Sequence, residues 1–274
     1  MGSVSRESYA AAAERLDAFA TGERPVPLAG IADEILSVAD LLRRQPRLRR
    51  ALSDPSRTGG DRADLLGSLV DGKVAEDTAT LLRTLAAGRW SSSAELLDAT
   101  ERLGVEALLA SADSAGDLAE VEDELFRFGQ VVDGDHELAA TLGNSTVPAE
   151  ERAALVHLLL DGKAHPATIR LGELALRGFG GRNFASSLSR LVELAAERRD
   201  RQIAYVTVAS PLSEAEERRL GERLSRMYGR QVDLKISVQP ELLGGVSVRI
   251  GHDLYDGTVL RRINETRSAL AGRP

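Results

Sequence analysis

Two adjacent glycines, Gly244 and Gly245, followed by Arg249, form the pattern in this sequence that most resembles a phosphate-binding loop. Phosphate loops place their glycines between a strand and the first turn of a helix, where backbone amides and the helix dipole act on the anion. Here the residues from Val246 to Ile250 alternate between apolar and polar, which predicts a strand. We therefore interpret the pair as glycines of a tight turn.

Two Asp-Gly-Lys sequences, at 71–73 and 161–163, resemble fragments of catalytic loops. Each follows an apolar helical run, and a glycine at a helix end followed by a lysine is typical of a helix C-terminus. His157 and Asp161 are one helical turn apart, but two ligands do not make a metal site. We expect surface or capping roles for the four histidines: His136, His157, His165 and His252.

Other signs of catalytic chemistry are missing from the sequence. It contains no cysteine, no Gly-x-Ser-x-Gly, no Walker loop and no Gly-x-Gly-x-x-Gly. The carboxylates fall mostly on polar helix faces and give no ground for a general acid–base pair. The residues alone predict a binding or scaffolding protein with no catalytic residue, metal or cofactor.

Composition limits the partners. The net charge is −7, which argues against nucleic acid because phosphate binding requires clustered positive charge. Arginine clusters at 43–50 and 198–201 lie in or beside amphipathic patterns, so we interpret them as solvated helix faces. No apolar run approaches the roughly 18 residues of a membrane span, and the N-terminus lacks a signal-peptide pattern. If the protein works at a membrane, we expect other subunits to hold it there.

The first 200 residues show helical periodicity. It predicts helices over 9–20, 28–42, 65–70, 77–87, 94–109, 118–132, 150–160, 168–177 and 184–201. The connections are short and rich in Gly, Asp, Asn and Pro, as is typical of a helical bundle.

An internal repeat lies within these helices. A shift of 90 residues aligns two stretches without a gap, where composition alone would give about three identities. Eleven residues match the residue 90 positions later: Leu52, Arg62, Ala63, Leu65, Leu69, Asp71, Gly72, Lys73, Thr78, Leu81 and Gly88. This predicts a helical domain enlarged by a second copy of part of itself.

The periodicity changes near residue 202. Alternating residues predict strands at 204–208, 232–238 and 246–250, and Ser213 with Glu216 forms a capping box that starts a helix ending at Gly229. A last helix is predicted from Thr258 to Leu270. The fold class is therefore mainly α, with a small α+β C-terminal domain of β-α-β-β-α order.

This C-terminal domain resembles that of ATP synthase delta subunits, the bacterial homologues of the oligomycin-sensitivity-conferring protein. The resemblance rests on 206–213, 232–236, 238–251 and 256–259, and on a Tyr-Ala pair at 9–10 near the start. Its signature residues are Val232, Leu234, Val238, Gln239, Leu242, Gly244, Gly245, Val246, Val248, Arg249, Gly251, Asp256 and Gly257. Gln239 and His252 stand where many relatives carry an acid. The chain is also longer than typical members and is similar to the enlarged actinobacterial type.

The resemblance implies a stator subunit with no catalytic role, one copy per complex, at the cytoplasmic face of the cell membrane. Its helical part would bind the N-terminal segments of alpha subunits, and its C-terminal domain would bind the b-type peripheral stalk. We expect the first repeat copy within 1–112, a linker helix and the second copy within 113–202, and the stalk-binding domain at 203–274. We expect the second copy to match the usual family helices, because it leads directly into the C-terminal domain.

Two alternatives remain open at this point. The first is a helical adaptor or regulatory protein whose C-terminal domain binds a small ligand at Gly244 and Gly245. The second is an enzyme, for which the sequence supplies no nucleophile, metal or base.

Overall fold

The computed structural model describes residues 2–21, 26–199, 202–228, 232–240, 245–250 and 253–256. The chain divides into two compact units, Met1–Ala195 and Ala196–Pro274. The first is helical and the second is an α/β unit, so the predicted fold class is confirmed.

The helical part contains eleven α-helices among the described residues. They are α1 (Ser3–Thr21), α2 (Leu28–Arg44), α3 (Pro46–Leu52), α4 (Gly59–Val70), α5 (Glu76–Ala87), α6 (Ser93–Ala115), α7 (Leu118–Asp133), α8 (His136–Gly143), α9 (Ala149–Leu160), α10 (Pro166–Leu176) and α11 (Phe184–Arg198), with a 3₁₀ turn at Phe179–Gly181.

Local sequence explains where several helices begin and end. Thr58 caps α4 in a capping box with Asp61, in which each side chain accepts a hydrogen bond from the other residue's backbone N–H. Ser92 caps α6, and Gly116 ends it in the left-handed conformation. The long α6 contributes nine buried apolar side chains and Gly104, where a Cβ would lie 2.7 Å from Leu36. Because no side chain intervenes there, α2 packs closely against α6.

The structure supports the internal repeat and extends it towards the N-terminus. The helices α2, α4 and α5 begin 90 residues before α7, α9 and α10. The carboxylate of Glu34 on α2 accepts hydrogen bonds from the Ala75 N–H at 3.0 Å and from the Thr78 hydroxyl. Ninety residues later, Glu124 accepts from the His165 N–H at 2.9 Å and the Thr168 hydroxyl at 2.5 Å. In each copy, one carboxylate therefore fixes the first turn of a neighbouring helix.

One buried carboxylate joins the two copies. Glu101 on α6 is 2% exposed and accepts hydrogen bonds from the Arg43 guanidinium of α2 and from the Gly180 N–H, 3.1 Å away, beyond α10. Arg43 is therefore bound to a buried partner, so our interpretation of that arginine cluster as a solvated helix face was wrong at this position.

The α/β unit has a four-stranded sheet of order β2-β1-β3-β4, with β1 parallel to β2 and antiparallel to β3. Its elements are β1 (Gln202–Val208), α12 (Glu214–Tyr228), β2 (Val232–Val238), β3 (Val246–Ile250) and β4 (Asp253–Asp256). Alternate residues of β1, namely Ala204, Val206 and Val208, lie in a core with Leu224 of α12. The capping box is present, because the Ser213 N–H donates to Glu216 at 2.8 Å and the Glu216 N–H donates to the Ser213 hydroxyl at 3.4 Å.

The sequence pattern missed two α-helices and one strand. The helices α3 and α8 are only seven and eight residues long, too short for a helical period to repeat. Pro46 takes the first helical position of α3, where its missing N–H costs no hydrogen bond, so this proline begins a helix. Strand β4 has four residues and pairs with β3. The predicted last helix and the predicted stop at Gly229 lie outside the described residues.

Candidate partner-binding surfaces

The two Asp-Gly-Lys turns have the structure expected of helix C-termini. Gly72 and Gly162 have φ angles of 72° and 69°, in the left-handed region that glycine adopts without strain. The ammonium of Lys73 donates to the Leu69 carbonyl at 2.9 Å, and Lys163 donates to the Leu159 carbonyl at 3.3 Å. The prediction that these are capping turns is confirmed.

The three histidines within the described residues are helix caps or surface groups. His165 caps α10 by accepting a hydrogen bond from the Ala167 N–H, and it lies 3.6 Å from a carboxylate oxygen of Asp117. His157 contacts two carboxylates, and His136 is exposed at the start of α8. His252 lies outside the described residues. Within the described ranges, no group of three or more His, Asp or Glu side chains is arranged so that it could hold a metal ion.

The described signature residues of the α/β unit differ in burial and in their contacts. Val232 and Val248 are buried, Leu234 and Val246 are half-buried, and Val238 is 42% exposed. The Gln239 N–H donates to the Val208 carbonyl at 2.8 Å, Arg249 lies over the Tyr205 ring at 4.5 Å, and Asp256 pairs with Ser247 across β3 and β4. Leu242, Gly244, Gly251 and Gly257 lie outside the described residues.

Gly245 supports the interpretation of the glycine pair as a turn. It has a φ angle of 93° immediately before β3, a conformation that costs other residues free energy. A strand and not a helix follows it, so the helix dipole that stabilises a bound phosphate is missing at this place.

An open groove lies between α7 and α9 in the helical unit. Its volume is about 560 Å³, and its apolar lining comes from Phe128, Val131, Leu159, Leu160 and Ala164. Charged groups border it: Glu120, Asp123, Glu124, Arg127 and Lys163. An apolar floor with a charged border suits the apolar face of a partner helix.

The α/β unit also presents apolar side chains to solvent. Met227 near the end of α12 is 55% exposed, Val238 at the end of β2 is 42% exposed, and Tyr255 on β4 is 45% exposed. The hydroxyls of Tyr228 and Tyr255 lie 3.1 Å apart and connect α12 to β4. Four arginines of α12 are also exposed: Arg218, Arg219, Arg223 and Arg226.

Comparison with known proteins decides the family. The model of the ATP synthase delta (OSCP) subunit family matches residues 105–270. The chain is 65% identical to ATP synthase subunit delta of Salinispora arenicola over 98% of each chain. It is 44% identical to ATP synthase subunit delta of Streptomyces griseus over 99% of this chain and 100% of that one. The chain belongs to the ATP synthase delta (OSCP) family.

The matched range also bears on the repeat. The delta family model begins inside α6 and continues through the second copy into the α/β unit, whereas α2 to α5 lie before it. This agrees with our expectation that the second copy is the one equivalent to the usual family helices. The relatives match along nearly their whole length, so their sequences also align with the segment that precedes the family match.

The sequence analysis did not identify Glu34 and Glu124, the two carboxylates that cap the first turns of α5 and α10. The signal was present, because Asp33-Glu34 and Asp123-Glu124 stand 90 residues apart, as do Leu28-Ala29 and Leu118-Ala119. Extending the repeat alignment towards the N-terminus would have found them. In the described part of the chain, no helix has the length and apolar character needed to cross a membrane.

Proposed function

We propose that this chain is a non-catalytic stator subunit of the proton-translocating ATP synthase. It links the catalytic head to the b-type peripheral stalk and resists rotor torque during ATP synthesis, one copy per complex, at the cytoplasmic face of the cell membrane. The observation that carries this proposal is membership of the delta family along nearly the whole chain.

The helical unit is the proposed partner of the alpha subunit N-terminal segments. The groove between α7 and α9 has the apolar lining that a bound amphipathic helix requires, and Val131 is 55% exposed at its wall. Glu101 connects the copies at a buried position, which suits a part that must transmit force without deforming.

The α/β unit is the proposed partner of the b-type stalk subunit. Its exposed Met227 lies on the same helix as the four exposed arginines, so α12 offers apolar contact together with positive charge. Val238 adds a second exposed apolar side chain at the end of β2. Two separate attachments on one chain slow dissociation, because release of one leaves the other bound at high effective concentration.

The proposed division near residue 112 passes through α6, which contacts both α1 and α7. We propose that α6 serves both copies, as the last helix of the first and the first helix of the second. Residues 203–274, which lie within the α/β unit, are then the proposed stalk attachment.

Binding of the full-length chain to an immobilised alpha N-terminal peptide tests the proposed attachment at the groove between α7 and α9. Val131→Glu places a charge in the groove at an exposed position, and we expect at least a tenfold loss of affinity with unchanged thermal stability. Leu41→Glu is the matched control, because Leu41 occupies the same position 90 residues earlier and is 39% exposed. Equal binding by the Val131→Glu variant and the parent would reject the groove as the site.

Binding of the full-length chain to the b-type stalk subunit tests the proposed attachment at the α/β unit. Met227→Glu should weaken binding of the full chain to this subunit and leave the alpha peptide unaffected. Failure of the parent chain to bind either partner would overturn the stator assignment itself. Saturable nucleotide binding with neither partner bound would favour the adaptor alternative.

A further inference from the structure

The side chain of His157 lies between two carboxylates at the junction of α9 and α10. Its Nδ1 is 2.9 Å from an oxygen of Asp161, and its Nε2 is 2.6 Å from an oxygen of Glu173. A neutral imidazole has one N–H and one lone pair, so it donates to one carboxylate and turns its lone pair towards the other. Only the doubly protonated ring donates to both acceptors.

The first copy makes the same connection with different chemistry. The equivalent residues, 90 positions earlier, are Gly67, Asp71 and Arg83, and the Arg83 guanidinium contacts Asp71 directly at 2.5 Å. A Cβ at Gly67 would lie 2.9 Å from the Arg83 Nε, so this arginine occupies the space that His157 fills in the second copy. Since a guanidinium keeps its charge at all physiological pH values, the first copy's connection does not titrate.

Two of these three positions therefore differ between the copies, and the aspartate is the same in both. Glutamate in place of Arg83 puts a second carboxylate on the same imidazole ring as the retained aspartate, and two like charges so placed repel each other. Histidine in place of Gly67 supplies a cation between the two acids. The second copy has replaced a permanent cation by one that depends on its proton.

The charges around His157 favour this proton. The hydrogen bond with Asp161 is the largest influence that raises the pKa of His157, and the hydrogen bond with Glu173 of α10 is the next. Other charged groups of α10 are already paired with α2: Arg170 with Asp33 at 3.0 Å and Arg177 with Asp40 at 4.0 Å. At the end of α9, Lys163 donates to a backbone carbonyl.

We propose that His157, Asp161 and Glu173 form a pH-sensitive clasp between α9 and α10 of the second copy, closed by the imidazolium and released when it loses its proton. The direction follows from linkage. A histidine whose pKa is raised in the folded state stabilises that state fully below its unfolded pKa of about 6.5. This contribution is lost as pH rises through the higher folded pKa, so the helices separate more readily in alkaline conditions.

Hydrogen exchange on the full chain tests the clasp. Amide protection at the turn 161–164, corrected for intrinsic exchange rates, should fall between pH 6 and pH 9, by about tenfold for each unit by which the pKa is raised. The equivalent turn at 71–74 is the internal control and should show no such fall. Equal pH dependence of the two turns would overturn the proposal.

The double variant His157→Gly with Glu173→Arg installs the first copy's residues in the second. It should keep the turn 161–164 protected and remove the pH dependence. The single variant Glu173→Gln keeps the histidine, and its imidazole, followed by NMR, should titrate at a lower pH than in the parent. An unchanged His157 titration, or pH dependence that persists in the double variant, would also reject the clasp.

Discussion

Arg62 and Arg152 stand 90 residues apart, and each is buried with its guanidinium hydrogen-bonded to main-chain carbonyls. Arg62 is 4% exposed and donates to five carbonyls, those of Asp54, Arg57, Ala86, Ala87 and Gly88. Arg152 is 6% exposed and donates to the carbonyls of Leu142, Val147 and Leu176. Arg62 therefore joins the loop before α4 to the end of α5, and Arg152 joins the loop before α9 to the end of α10. The carbonyls at a helix end lack helical partners and need such a donor.

Replacement of either arginine by methionine should destabilise the helical unit by about 3 kcal/mol, because several buried carbonyls lose their donors. Urea unfolding of the full chain, followed by circular dichroism, measures the change. Arg44→Met is the control, since Arg44 is exposed and its pairing with Asp40 at the surface contributes less than about 1 kcal/mol. Similar losses for Arg62→Met and Arg44→Met would contradict this account.

The pair Arg43 and Glu101 gives a second prediction. Arg43→Met leaves the buried Glu101 without its cation and should cost about 3 kcal/mol or more. The double variant with Glu101→Leu removes the buried charge as well and should recover part of this loss. A double-mutant cycle on urea unfolding measures the coupling, and additive losses would show that the pair does not act as a unit.

Whether the sequence predicted a feature depends on how far apart along the chain the interacting residues are. Helical periodicity and capping patterns are local, so α2, α9 and the Ser213 capping box were predicted from neighbouring residues. Glu101 was not predicted, because its partners Arg43 and Gly180 lie 58 and 79 residues away and no local pattern marks them. Arg62 and Arg152 were found only as repeated identities, since a buried arginine and a surface arginine look alike in a helical pattern.

The same limit applies to the candidate surfaces. The sequence identified the delta-family signature but gave no sign that Val131 is exposed beside Phe128, because both fall on a helix with a continuous apolar stripe. The His157 contact was predicted in part, as the one-turn spacing to Asp161. Its second partner, Glu173, belongs to another helix and required the fold.

Gly245→Val should destabilise the α/β unit by about 1–3 kcal/mol, because a β-branched residue must then adopt a φ angle of 93°. It should also weaken attachment to the stalk subunit and leave ATP hydrolysis by the isolated catalytic head intact. Thermal unfolding and stalk binding of the full chain measure the two effects. Gly129→Ala in α7 is the control, where a Cβ meets nothing within 4 Å and stability should rise by about 0.5–1 kcal/mol. Unchanged stability of the Gly245→Val variant would contradict the turn assignment.

Asp98 on α6 gives a pH-dependent prediction. Burial raises the pKa of its carboxyl, the nearby Glu101 raises it further, and Arg182 opposes both. The charged carboxylate is thus disfavoured in the folded state, and this penalty develops as pH rises above the unfolded pKa of about 3.9. Asp98→Asn should therefore increase Tm at pH 7, with a gain that shrinks as pH is lowered towards 4. Asp64→Asn, at an exposed position of α4, should change Tm at neither pH. A Tm gain for Asp98→Asn that is equal at both pH values would show that the carboxylate's charge is not the cause.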